Sequence, residues 1–192
     1  MNNQQLCITL NEDMANTATA FLSCLYAKDV STFNHSRSVA FLCAEMAEIL
    51  KLDNHTRDSI FMAGLLHDIG KIGINDAIIR KKTRLTAGEY DAVKEHPQIG
   101  RQMLSSLPVF NEIGNFIAHH HERYDGTGYP DGLSGENIPF ESRMIAVADS
   151  FDAMTTRAYA NKDKKSAISE IRKCVGSQFD FEIAESLFLL NK

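Results

Sequence analysis

The sequence predicts an all-α fold, a single compact helical bundle that carries one long glycine-rich loop. Apolar residues recur at helical spacing along nearly the whole chain, as they do in helices that bury one face. No stretch alternates apolar and polar residues for long enough to argue for a sheet. At 192 residues, 44% of them hydrophobic, the chain can bury one well-formed core and is short for two.

Phe21, Leu22, Leu25 and Tyr26 mark the first amphipathic helix. Val39, Leu42, Cys43, Met46, Ala47, Ile49 and Leu50 mark the second, which ends near Leu52-Asp53-Asn54. Ile60, Phe61, Ala63, Gly64, Leu65 and Leu66 form a third, apolar on nearly every side and therefore central, with Gly70 as its C-terminal stop. Thr86-Ala87-Gly88-Glu89 is a capping box that opens a fourth helix running toward His96 and Pro97. A short helix follows over Gly100 to Leu104. Another begins at Pro108 and carries Ile113, Phe116 and Ile117 into a run of histidines. Residues 125–139 hold Gly126, Gly128, Pro130, Gly132, Gly135 and Pro139 and form the longest loop. Ile145, Val147, Ala148, Phe151 and Met154 resume helical spacing, and two helices near 166–175 and 182–190 close the chain. Residues 1–17 read as an N-terminal extension and 18–192 as the domain.

Composition narrows the function classes. The net charge is -5 and the pI about 5.8, whereas proteins that track a nucleic-acid backbone are usually basic. A small phosphate ligand remains open, since it needs only local positive charge. Cys7, Cys24, Cys43 and Cys174 are far apart in apolar or helical contexts, the pattern of buried free thiols in a reducing compartment. There is no run of about 18 apolar residues and no basic segment leading into an apolar one. These features predict a cytoplasmic protein without a membrane span.

Chemistry concentrates in His35, His67-Asp68, His96, His120-His121 and Asp149. Imidazole and carboxylate are the donors of catalytic first-row metals, and a carboxylate beside a ligating imidazole can bridge two ions. A pair of ions about 3.5–4 Å apart is a standard device for cutting phosphate esters. A lone helical histidine is usually an ordinary core or surface residue, and His55, in polar surroundings, is read that way. Asp68 and Asp149 differ because each follows an apolar run, where an ionised carboxylate is costly to bury without a compensating cation. Two adjacent histidines on a regular helix diverge by about 100°, so His120 and His121 share a site most easily at a frayed helix end. The donor set lacks thiolate, which favours iron or manganese, with nickel or zinc as further options. Lys71, one turn beyond His67, stands where a cation neutralises a non-bridging phosphate oxygen.

The strings "LLHDIGKIGI" and "HHERYDGTGYPDGLSGENIP" resemble the HD-GYP family, a branch of the HD phosphohydrolases. "KDVSTFNHSRSVA", "VKEHPQIG", "RMIAVADSFDAMT" and "GSQFDFEIAESL" extend the likeness over residues 18–187. The resemblance implies a helical bundle of the HD-domain type that hydrolyses cyclic di-GMP at a binuclear metal centre to linear pGpG, with a second cut to GMP left open. The implied ligands are His35, His67, Asp68, His96, His120, His121 and Asp149, with Asp68 bridging. Lys71 is the family's lysine. Gly128, Tyr129 and Pro130 are its signature, with Gly128 and Tyr129 shaping the substrate pocket. His119 and Glu122 flank the ligand pair and are not assigned as ligands. The resemblance also implies docking to diguanylate cyclase domains.

Three departures from the family pattern bear on function. Members with a third metal carry a glutamate four residues before the first histidine; that position is Ser31 here, so two divalent ions are expected. In "DAMTTRAYANKDKK" Arg157 keeps the first of two phosphate-contacting cations. Ala158 and Ala160 replace the family's proline and second cation, leaving Lys162, Lys164 or Lys165 to substitute. No sensory domain fits before residue 18, so a partner supplies the input or the chain is a stand-alone or truncated version. The altered Arg157 segment keeps open another substrate, such as cyclic GMP–AMP or a simpler nucleotide. A non-catalytic cyclic-dinucleotide sensor is the reading from a different class.

Overall fold

The computed structural model describes residues 12–156 and 162–191. Helix α1 (Glu12–Lys28) meets α2 (Val30–Ile49) at Asp29, whose carboxylate accepts from the Thr32 N–H and caps α2. Asp53 caps α3 (Asn54–Leu66) in the same way through the Thr56 N–H. A 3₁₀ segment, Ile69–Gly73, leads to the short α4 (Asp76–Ile79) and then to α5 (Ala87–Lys94). The expected capping box is present: Thr86 accepts from the Glu89 N–H while the Glu89 carboxylate accepts from the Thr86 N–H. Next come α6 (His96–Ser105), a 3₁₀ turn at Pro108–Phe110 and α7 (Asn111–Ala118). The long loop contains one 3₁₀ turn, Gly135–Asn137, and ends at α8 (Phe140–Thr156). Helices α9 (Lys164–Lys173) and α10 (Phe181–Leu190) complete the bundle. Among the described residues there is no strand, and the all-α reading holds.

Helix α2 is the hub, packed against α1, α3, α8 and α10, while α6 lies on α7 and on the Ile69–Gly73 segment. Their apolar faces meet in one core around Val39, Met46, Ile60, Leu66, Ile117 and Leu187, all fully buried. Asp180 locks α10 to α8: it accepts from the N–H groups of Glu182 and Ile183 and pairs with Arg143.

Three local expectations are corrected. Gly70 does not stop α3, which ends four residues earlier, at Leu66. Its role is close packing: a Cβ there would lie 1.9 Å from the His96 carbonyl oxygen and 2.6 Å from the Gly100 nitrogen. The helix placed at Gly100 begins at His96, because Pro97 in a first turn forfeits no intrahelical hydrogen bond. Cys24 is exposed on α1, whereas Cys43 is buried as expected; Cys7 lies outside the described residues.

Gly70→Ala is expected to lower stability by about 1–3 kcal/mol or more, since backbone on both sides cannot yield to the new methyl. Gly88→Ala, in helix α5 with nothing within 4 Å of the added carbon, is expected to raise it by about 0.4–1 kcal/mol. Urea midpoints of the two variants check this contrast.

Candidate metal centre

Five parts of the fold deliver the predicted residues to one place. His35 comes from α2, His67 and Asp68 from the end of α3, and His96 from the first turn of α6. His120 and His121 sit in the turn after α7, and Asp149 lies on α8. Helix α7 stops at Ala118, so the paired histidines leave helical geometry and their rings approach to 4.0 Å between centroids. Ligand atoms gather within 4.8 Å of one another in three overlapping triads: His35, His67 and Asp149; His67, Asp68 and His120; His96, His120 and His121. Asp68 lies between the outer triads, with Oδ1 3.3 Å from His96 Nε2 and Oδ2 3.5 Å from His67 Nε2.

The outer edge of each ring is anchored. Nδ1 of His67 donates to the Gly64 carbonyl at 2.8 Å, that of His96 to Val93 at 2.6 Å, and that of His120 to Ile117 at 2.6 Å. A carbonyl can only accept, so each Nδ1 carries the proton and each Nε2 presents a lone pair inward. His67 Nε2 is buried without a hydrogen-bond partner. His96 Nε2 and His120 Nε2 face each other at 3.4 Å, an opposition of two lone pairs. Both features call for an electropositive group in the cluster. Imidazole and carboxylate, with no thiolate, suit a divalent first-row ion, so these residues could hold metal.

Burial sets the electrostatics on one side of the cluster. It holds His96 down to about 3 and His121 to about 4, and it lowers His67 and His120 as well. These imidazoles are neutral and ready to ligate. His35 behaves differently. Burial opposes its protonation, but hydrogen bonds to Asp149 at 2.8 Å and Asp152 at 2.6 Å outweigh burial and raise it to about 9. Burial likewise opposes ionisation of Asp68, and Lys71, whose Nζ is 2.5 Å from Oδ2, outweighs it; the carboxylate is held well below its usual range. Asp149 is held low in the same way, by His35 against burial.

Asp152 is the site residue that sequence reasoning missed. It is buried, receives the outer nitrogen of His35 and also accepts from the Thr156 hydroxyl at 3.0 Å. Its signal was present: it follows Asp149 by one helical turn, so both carboxylates share a face of α8 and close on His35 from its two sides. His119 faces outward from the cluster, bonded to the Asn115 carbonyl and Asp131. Glu122 accepts from the Asp131 N–H at 2.7 Å, folding the glycine loop back against the histidine turn. That fold requires Gly128, where a Cβ would be 2.4 Å from the Arg123 nitrogen. Tyr129 consequently stacks on His121, with centroids 4.9 Å apart and planes at 29°. Arg157, Ala158 and Ala160 lie outside the described residues. Lys162, Lys164 and Lys165 are exposed, and Lys162 faces Glu170 at 3.9 Å. No described helix is long and apolar enough to cross a membrane.

The family described as HD domain matches residues 20–183. A cyclic di-GMP phosphodiesterase of Thermotoga maritima is 38% identical over 86% of this chain and 46% of its own length. A 3'3'-cGAMP-specific phosphodiesterase of Vibrio cholerae is 36% identical over 75% of the chain and 33% of its own length. The chain thus spans less than half of either curated relative. The structure of Bd1817, an HDG"Y"P protein from Bdellovibrio bacteriovorus, superposes with a TM-score of 0.69 at 22% identity, covering 83% of this chain and 52% of that one; it shares the fold. With a match from residue 20 to 183, the chain belongs to the HD-domain family, and it carries Gly128-Tyr129-Pro130 beside the histidine turn.

Proposed function

We propose that the chain hydrolyses cyclic di-GMP to the linear dinucleotide at a centre of two divalent ions. The placement of Asp68 between two imidazole groups carries this reading: one carboxylate oxygen faces His67 and the other His96. His35, His67, Asp149 and Asp68 would hold one ion, and His96, His120, His121 and Asp68 the other. Iron or manganese suits the donors best. When bound, such a pair polarises a phosphoryl oxygen and lowers the pKa of water toward neutrality. The relatives named for cyclic dinucleotides support the substrate class.

The chain's own residues do the rest. The carbonyl anchors on Nδ1 hold the imidazoles in position, so little reorganisation accompanies binding. Lys71, in the tight 3₁₀ turn after Asp68, presents an ammonium at the cluster. That ammonium would neutralise a non-bridging oxygen of the phosphate, where charge grows during attack. Tyr129, half-buried and stacked on His121, forms a wall of the pocket. Arg157 remains the proposed second phosphate contact.

Protein loaded with iron or manganese should convert cyclic di-GMP to linear dinucleotide, and Asp68→Asn should lose about 10³-fold or more in turnover. Faster cleavage of 3'3'-cyclic GMP–AMP would transfer the proposal to that substrate. Absence of product from both, with ions bound, would sink it.

Asp152→Ala removes a positioning carboxylate rather than a ligand. It should weaken metal uptake by about 10- to 100-fold while far-ultraviolet circular dichroism stays unchanged. Unaltered metal affinity would leave Asp152 a purely structural residue.

The raised pKa of His35 gives metal uptake a pH dependence. Below about 9 the ion-free ring is protonated, ligation at Nε2 expels that proton, and uptake is therefore disfavoured by acid. Apparent affinity at this side should rise by about tenfold per pH unit between about pH 6 and pH 9. Metal titrations near the two ends of that range measure the slope.

A further inference from the structure

A row of side chains leads from the cluster to the surface along α5, and the chemistry above uses only its inner end. Tyr129, stacked on His121, lies 6.0 Å from the ammonium of Lys94, measured to the ring centroid. The same ammonium lies over the ring of Tyr90, 4.8 Å from its centroid. Tyr90 is 50% exposed, on a helix that has no buried residue. A large aromatic ring there serves no core.

The row is rigidly tied to the metal-capable cluster. Val93, on α5 between Tyr90 and Lys94, supplies the carbonyl that anchors Nδ1 of His96. The capping box and the Lys81–Glu89 ion pair at 2.6 Å hold the start of the same helix. Stacked on His121 on one side and 6.0 Å from the Lys94 ammonium on the other, the Tyr129 ring links the cluster to the Lys94–Tyr90 pair. The ammonium of Lys94 is neutralised by Asp91 at 3.0 Å, so the row offers flat aromatic surface with a balanced charge. Such a surface suits a neutral heterocycle better than a second phosphate. Base–aromatic stacking of this kind is tolerant of sequence, because every base has a flat π-face.

We propose that Tyr90 and Lys94, together with Tyr129, form a stacking subsite for a purine ring of the substrate whose phosphate occupies the metal centre. The assignment rests on the phosphodiesterase reading, because it is that phosphate which places a base beside α5. Tyr90 supplies the platform, Lys94 fixes the platform against Tyr129, and neither takes part in bond cleavage.

The test uses the metal-loaded full chain with Tyr90→Ala and Tyr90→Phe. Tyr90→Ala should raise KM for cyclic di-GMP by about tenfold, with kcat changed by no more than about twofold, and Tyr90→Phe should restore KM. Calorimetric titration supplies a readout independent of turnover. Tyr90→Ala should weaken binding of GMP by about tenfold and leave inorganic phosphate unchanged, since only GMP carries a base. Equal weakening of GMP and phosphate, or no change in either, overturns the subsite, and so does wild-type protein that binds phosphate but not GMP. Selective loss of GMP binding in a protein that cleaves no cyclic dinucleotide supports the subsite and rejects the phosphodiesterase reading, so the two failures are distinguishable.

Discussion

Asp68 is an ionised carboxylate with only 1% of its surface exposed, and a charge in that position must be surrounded by compensating groups or it costs several kcal/mol. The chain arranges its neighbourhood accordingly. Lys71 has to return to Asp68 within three residues, which the 3₁₀ segment Ile69–Gly73 achieves. That tight segment in turn lies flat on α6, because Gly70 has no side chain to hold the two backbones apart. Closing the gap brings His96 to within 3.3 Å of Asp68. One buried charge thereby explains a turn, a glycine and a helix–helix approach that otherwise look unrelated.

The same constraint explains what could be read from the sequence. Asp68 and Asp149 stood out because each ends or interrupts an apolar helical run, a local conflict visible without coordinates. His120 and His121 were legible as a pair only at a helix end, and α7 ends at Ala118. Gly70 was misread, since helix stop and close packing both require glycine, and only the opposite backbone tells them apart. Asp152 was passed over because its partner, His35, lies 117 positions away; its one-turn spacing from Asp149 marks a shared face of α8 but not what that face meets. Tyr90 gave no signal at all, since an aromatic residue on a polar helix looks the same whether it faces solvent or a site.

The two halves of the centre differ in how their donors are prepared. Around His96, His120 and His121 the preparation is neutral: burial removes protons, and the carbonyls of Val93 and Ile117 aim the nitrogens of His96 and His120. Around His35 it is ionic: Asp149 and Asp152 hold a proton on the ring from both sides. A neutral half loses nothing but water when it takes a cation. An ionic half must exchange a proton for it, and its carboxylates then turn from partners of an imidazolium into partners of the metal.

On the proposed two-ion reading, this difference would give Asp68 a second role beyond bridging. The imidazole half has no carboxylate of its own, so the negative charge that favours a divalent cation there comes from Asp68, which also serves the His35 half. Whatever neutralises Asp68 weakens both halves together, and Lys71 does so directly when no ion is present. Lysine and metal therefore compete for one carboxylate. Were metal to take Asp68, the ammonium would be left without its partner in a half-buried position, where a free charge is costly, and a phosphate oxygen would be the group best able to relieve it. On the proposed reading, the energy that binds metal would also prepare the residue that receives substrate, which would couple the two events through a single side chain.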